Sequence, residues 1–226
     1  MAYFKWARDL SGNKTPQIME LPIASAGVVE KGECVLFTPG TGVASVVGTD
    51  FDHAWLGVAM EDHDGTTDGR QSGELIKVSV SPTAVYKLKS TAVITATGGS
   101  TSTFVVSGLL PQTDNLWIGS YLEVKTCAAD SSLIGEMIPI TDSTGSTGTL
   151  TFATQKSAFA AGDTAVLHPG KLAIGEYGWD LVSGNCDIDL DTSGGEAIIL
   201  VDADPERKYS YWMARLSQFG NDAAAK

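Results

Sequence analysis

Over residues 26–88 the chain is a succession of short apolar segments separated by Gly-rich turns: GVVEKGECVLFT, GVASVVG, AWLGVAMED and ELIKVSVSPTAVYKLK. Runs of roughly four to eight residues at such spacing suit strands and give a long amphipathic helix nothing to build on. The same texture returns in TFVVSGL, WIGSYLEVKTC, LIGEMIPITD, TGTLTFAT and DTAVLHPG. Composition points the same way, because 43% hydrophobic against 19% charged residues, with 25 glycines and frequent Thr and Ser, favours an all-β globular protein.

Local patterns give particular expectations. GVVEKGECVLF sets two apolar runs around Glu30, Lys31, Gly32 and Glu33, a hairpin in which Gly32 takes positive φ. In ITDSTGSTGTLTF, residues 142–148 supply side chains that bond their own backbone and glycines that accept positive φ, so they read as a turn. Leu150 and Phe152 then share one face of the following strand. Residues 197–201 form a continuous apolar run between Gly194-Gly195 and Pro205, a buried strand. YSYWMARL reads as a strand in which Tyr209, Tyr211 and Met213 alternate with Ser210 and Ala214, with Trp212 spoiling the polar face.

The 226 residues allow one large or two modest domains. The pattern breaks at the small-polar stretch Thr97 to Ser102 and again at His168-Pro169-Gly170, so the first stretch is expected to link two units. The organisation read from this is an N-terminal arm (1–23), a β-barrel or sandwich base domain (24–89 and 171–215), a second small β domain inserted at 90–170, and a C-terminal tail (216–226). The arm carries Tyr3, Phe4 and Trp6 among turn formers, with no core-forming period. Three exposed aromatic rings are costly, so these residues are the expected partner-binding anchors, docking on a neighbour or on the chain's own body. Deleting residues 2–10 is expected to leave a folded β protein that associates poorly.

A formal net charge of -12, with 15 scattered Lys and Arg, argues against nucleic-acid binding. The N-terminus has no apolar core of signal-peptide length, and no segment approaches the ~18 apolar residues of a membrane span, so synthesis in the cytosol and no membrane association are expected. Cys34, Cys127 and Cys186 are far apart and odd in number, and read as buried hydrophobes in place of a disulfide framework. The sequon Asn13-Lys14-Thr15 has no signal peptide to give it meaning.

The densest titratable cluster is Asp52, His53, Glu61, Asp62, His63 and Asp64; on a strand His63 points away from Asp62 and Asp64, so a solvated turn is the simpler reading than a metal site. Asp187, Asp189 and Asp191 share one strand face, but a calcium loop starting at Asp187 finds Thr192 and Ile198 where Gly and Glu belong. A structural ion relieving repulsion among the three stays open, while no metal and no cofactor are expected. No nucleophile elbow, zincin, phosphate-loop or dinucleotide motif occurs, and His168 sits beside a Pro-Gly turn, so no catalytic residue is assigned and an enzyme is the less economical reading. Of the five tryptophans, Trp55, Trp117, Trp179 and Trp212 lie in or beside apolar segments, where core packing accounts for them before glycan stacking does.

SAGVVEKGECVLFTPGTGVASVVGTDFDHAWLGVAMEDHD, followed by GELIKVSVSPTAVYKLK, resembles the capsid cement, or decoration, proteins of tailed bacteriophages. The resemblance covers about residues 24–89 and 171–215; the stretch between is similar to a small β module inserted in phage virion proteins. It implies a non-enzymatic virion structural protein, made in the host cytoplasm, that binds the major capsid protein on the capsid exterior, often as a homotrimer. The alternative is a glycan-binding head-fibre or tail module for host-surface attachment.

Overall fold

The structure, a computed structural model, describes residues 5–38, 41–45, 55–64, 67–81, 83–88, 93–109, 113–173, 177–181, 188–189 and 198–214. The protein is nearly all β. In chain order, β1 (Lys5–Asp9) and β2 (Ile18–Pro22) precede β3 (Val28–Val29), β4 (Cys34–Thr38), β5 (Gly42–Ser45), β6 (Trp55–Ala59) and β7 (His63–Asp64). One helical turn (Gly69–Ser72) leads to β8 (Leu75–Ser79) and β9 (Ala84–Leu88). The middle of the chain supplies β10 (Val93–Thr95), β11 (Gly98–Gly99), β12 (Thr103–Val105), β13 (Tyr121–Thr126), β14 (Met137–Thr144), β15 (Thr149–Phe152) and β16 (Thr164–His168). Four strands complete the order: β17 (Tyr177–Leu181), β18 (Ile188–Asp189), β19 (Ile198–Asp204) and β20 (Tyr209–Ala214).

β10 to β16 form one sheet in the order β10-β16-β13-β14-β15-β12-β11. Its first and last members are halves of a single stretch, residues 93–99, interrupted only at Ala96 and Thr97. Those two amides still bond to either side, Ala96 N to Asp163 O and Thr97 N to Val105 O, each at 2.8 Å. The sheet therefore closes on itself as a barrel and leaves no long free edge. Alternating residues fill it: Leu122 and Val124, Ile138 and Ile140, Leu150 and Phe152 are all buried. Phe159 meets Phe104 and Phe152 edge-on, at centroid distances of 5.4 and 5.6 Å.

The Thr- and Ser-rich stretch is the β14–β15 hairpin. Its ladder runs out to Thr144 opposite Thr149, so the turn is shorter than the sequence suggests and the strand carries a bulge between Ile140 and Asp142. Gly148 is obligatory there, with φ 62° and a would-be Cβ only 1.8 Å from Val106 O. The stretch at Thr97 to Ser102, expected to be a link, is instead the β11–β12 hairpin, with Gly98 opposite Val105 and Gly99 opposite Phe104. Ser100 Oγ lies 2.8 Å from Thr103 Oγ1, so the small polar residues close a tight turn.

A second sheet runs β2-β8-β6-β4-β5. Its ends meet at a parallel bridge between Ile23 and Val43, where Ala24 N donates to Val43 O at 2.7 Å. It thus curls around Ile23, Val35, Val43, Ala59, Ile76 and Val78. The hairpin expected around Gly32 forms its turn but not its ladder. Gly32 has φ 93°, and Glu33 N donates to Glu30 O at 3.0 Å. Beyond the turn the runs part, β3 pairing with β7 while β4 pairs with β5 and β6. A two-residue β3 is too short to hold β4 against those partners.

The third sheet, β1-β9-β20-β19-β17-β18, joins the start of the chain to its return from the barrel. The barrel is separate in strand pairing but not in packing. One hydrophobic cluster runs from Phe104 and Leu122 inside it, through Leu200, Trp212, Tyr86 and Leu88, to Cys34 and Val58. Residues 5–9 and 18–22, read as parts of an arm, are edge strands of two sheets, pairing with β9 and β8 respectively. A bulge between Trp6 and Arg8 hides the alternation of β1. In β20 the alternation is as expected but the faces are exchanged: Ser210 and Trp212 are buried, and Tyr209, Tyr211 and Met213 are half-buried. Trp212 Nε1 donates to Ser210 Oγ at 2.6 Å, which lets a serine occupy the inner face.

Candidate functional site

Two surfaces stand out, one built by the N-terminal strands and one between the β19–β20 hairpin and the barrel. At the first, the chain crosses from β1 to β2 beside the connection from β8 to β9. Asp9 holds that crossing. Its carboxylate accepts from Ser11 N at 2.8 Å, Ser11 Oγ at 2.5 Å, Ser81 Oγ at 2.6 Å and Thr83 Oγ1 at 2.6 Å. The hydrogen bonds from Ser11, then those from Ser81 and Thr83, outweigh burial and keep the carboxyl well below the ordinary range. Leu10 N to Thr83 O at 3.0 Å and Val80 N to Gln17 O at 2.9 Å extend the seam on either side.

Of the three expected anchors, Trp6 lies opposite Tyr86 and packs, partly buried, against the main core. Its indole Nε1–H is buried without a partner among the described residues. Tyr3 and Phe4 lie outside the described residues. Among polar residues such as Lys5, Arg8, Lys14 and Glu20, the uncovered surface includes four large apolar side chains: Leu10, Ile18, Met19 and Leu75 are 54%, 48%, 48% and 51% exposed. Ile18 and Leu75 share a face of the β2–β8 pair, and β2 is the last strand of its sheet.

The second surface is a cleft of about 710 Å³. One wall is the barrel, with Tyr121 at the start of β13 and Lys171 and Leu172 in the turn after β16; the other is the hairpin, with Asp202, Asp204, Glu206 and Tyr211. Asp202 faces Tyr211 across the β19–β20 ladder. The barrel wall is fixed by Gly170, whose N donates to Ser120 Oγ at 2.7 Å and whose would-be Cβ lies 2.6 Å from Gly119 O. No larger residue fits.

A charged clasp ties the two walls together. Glu123, on the same outer face of β13 as Tyr121, receives Lys208 from the hairpin tip at 3.0 Å, Lys125 at 2.8 Å and His168 Nε2 at 2.9 Å. Burial pushes its carboxyl up, but the hydrogen bonds from Lys125, His168 and Lys208 win and leave it below the usual value. For His168 burial prevails over the pull of Glu123, and its pKa is lowered. The ring is therefore neutral at pH 7 and donates Nε2–H to the carboxylate.

In the first acidic cluster, Asp62 and Glu61 are occupied with backbone and a lysine. Lys31 N donates to Asp62 Oδ1 at 2.7 Å, and Lys77 N and Nζ donate to Glu61 at 3.1 and 3.3 Å. His63 Nε2 lies 3.3 Å from Glu74 Oε2. Asp52, His53, Asp187 and Asp191 are outside the described residues, as are Cys186 and the side chains of Asp189, Trp55 and Trp179. Among the described residues no three His, Cys, Asp or Glu gather as a metal site, and no helix is long and apolar enough to cross a membrane. Cys34 and Cys127 are buried, and Trp117 and Trp212 are sealed in the core.

Sequence reasoning passed over Asp9, although Asp followed two residues later by Ser is an Asx-turn signal. It also passed over Glu123 and the cleft, whose parts come from three distant stretches. Comparison of the chain with protein-family models, with curated proteins and with solved structures gives no match.

Proposed function

We propose that this is a non-enzymatic virion protein of a tailed bacteriophage, a decoration or cement protein that binds the major capsid protein on the outside of the shell, as a homotrimer, and stabilises it. The observation that carries the reading is the N-terminal edge, where Leu10, Ile18, Met19 and Leu75 lie open around β2, an end strand that meets β5 only past its last residue, at Ile23. Exposed apolar groups on a sheet edge favour association, and the proposal gives them a partner. The resemblance of residues 24–89 and 171–215 to cement proteins supplies the partner's identity. Such a protein works by burying area across capsomer boundaries, so that mass action favours the assembled shell. No group needs to react.

The test is to mix the purified protein with shells that lack it and measure bound copies per capsomer and the shell's melting temperature. Stoichiometric, saturable binding with a higher shell melting temperature is expected. Ile18→Asp combined with Met19→Asp, on an exposed strand, should abolish binding and leave the protein's own unfolding unchanged. Absence of saturable binding by the parent protein overturns the reading.

A further inference from the structure

The cleft between the hairpin and the barrel has features that the shell-binding reading does not use. Its volume of about 710 Å³ is that of a small-ligand pocket, typically ~300–1,000 Å³, and exceeds what one side chain needs. Two half-buried tyrosines, Tyr121 and Tyr211, come from opposite walls, and Leu172, 58% exposed, adds apolar surface between polar tips. The walls are preorganised, since the clasp from Lys208 to Glu123 ties one to the other and the close approach at Gly170 fixes the barrel wall itself.

We infer that this cleft is a saccharide-binding site for a neutral oligosaccharide. The chemistry of the lining selects among ligand classes. The hydroxyls of Tyr121 and Tyr211, the Lys171 ammonium and the Glu206 carboxylate make no hydrogen bond among the described residues, so both donors and acceptors stand open. A sugar offers hydroxyls that donate and accept, together with C–H faces for tyrosine rings. An anionic ligand meets three carboxylates, Asp202, Asp204 and Glu206, against one lysine. A purely apolar ligand would strip water from those carboxylates and return no hydrogen bonds.

A cationic peptide finds its positions already taken from within the chain. Arg8 sits over the Tyr211 ring at 5.5 Å and 3.4 Å from Asp202. Arg207 reaches Asp204 at 3.7 Å. These contacts leave acceptors for hydroxyls while cancelling part of the charge. The site shares no residue with the β2 edge, so either surface can fail without the other.

The experiment is to probe the full-length protein on an array of neutral oligosaccharides built from glucose, galactose, mannose and N-acetylhexosamines. Sulfated heparin disaccharides and a trilysine peptide are included, and hits are followed by saturation-transfer NMR. At least one neutral oligosaccharide should bind, with affinity falling about tenfold or more in Tyr121→Ala and in Glu206→Gln. Glu206 is exposed, so the second variant reports on binding even if the first loosens the barrel. The inference is overturned if no neutral oligosaccharide binds above the level seen with Tyr121→Ala, if Glu206→Gln and Tyr121→Ala both bind like the parent, or if trilysine binds in preference to every sugar.

Discussion

Asp9, Glu123 and His168 each hold fewer protons in the fold than in the open chain, so together they set a direction for stability against pH. The two carboxyls are lowered from ordinary values of 3.8 and 4.5. Below those values the unfolded chain takes up protons first, and their stabilisation is lost as pH falls. His168, lowered from 6.5, acts in the same sense: the unfolded imidazole is charged while the buried one is still neutral, so stability begins to drop below that value. A melting temperature that is level above about pH 7, declines gently below about pH 6.5 and steeply below about pH 4.5 is therefore expected. His168→Gln should remove the first decline and keep the second. A melting temperature that rises on acidification from about pH 7 to pH 5.5 would mean that His168 gains a proton to pair with Glu123. None of this was legible beforehand, because a histidine next to Pro169-Gly170 reads as exposed until β13 is laid beside it with Glu123.

Individual strands were the most legible level. The β14–β15 hairpin announces itself in alternating Leu150 and Phe152 and in Gly148, because both signals are local. The hairpin around Gly32 failed at the same level for the opposite reason: its turn is local, but the choice of partner for β4 lies in residues 42–45 and 55–59. The tip of the β19–β20 hairpin shows a cost accepted for a distant contact. Lys208 has φ 61°, a left-handed conformation that costs a non-glycine residue about 1 kcal/mol or more, and from there its ammonium reaches Glu123 at 3.0 Å. Lys208→Ala keeps the strain and loses the clasp; Lys208→Gly loses the clasp and relieves the strain. Urea unfolding should place the glycine variant about 1 kcal/mol above the alanine variant and near the parent. Equal destabilisation of the two would show that the backbone at this position carries no strain.

At the scale of the whole molecule, closure decides the architecture, and closure is the least local property of all. Nothing in residues 93–99 says that one half will pair with β16 and the other with β12, although that pairing turns a sheet into a barrel. The continuous core has the same character: Leu200 and Trp212 join the barrel's apolar filling to Tyr86 and Cys34 only after three sheets have formed. The N-terminal segment then changes meaning. Read alone, residues 2–10 are dispensable for folding; in the structure they contain β1, the ring of Trp6 against the core, and the carboxylate that gathers Ser11, Ser81 and Thr83. Their deletion exposes the long side of β9, opens the core beside Tyr86 and leaves three hydroxyls without their acceptor, a loss of about 3 kcal/mol or more. Deletion of residues 2–10 should therefore lower the melting temperature markedly. Tyr3→Ser with Phe4→Ser, which spares β1, should leave the melting temperature in place and reduce only occupancy on shells. If the deletion melts with the parent, β1 and the Asp9 crossing contribute nothing to the fold, and the segment is free to serve a partner alone.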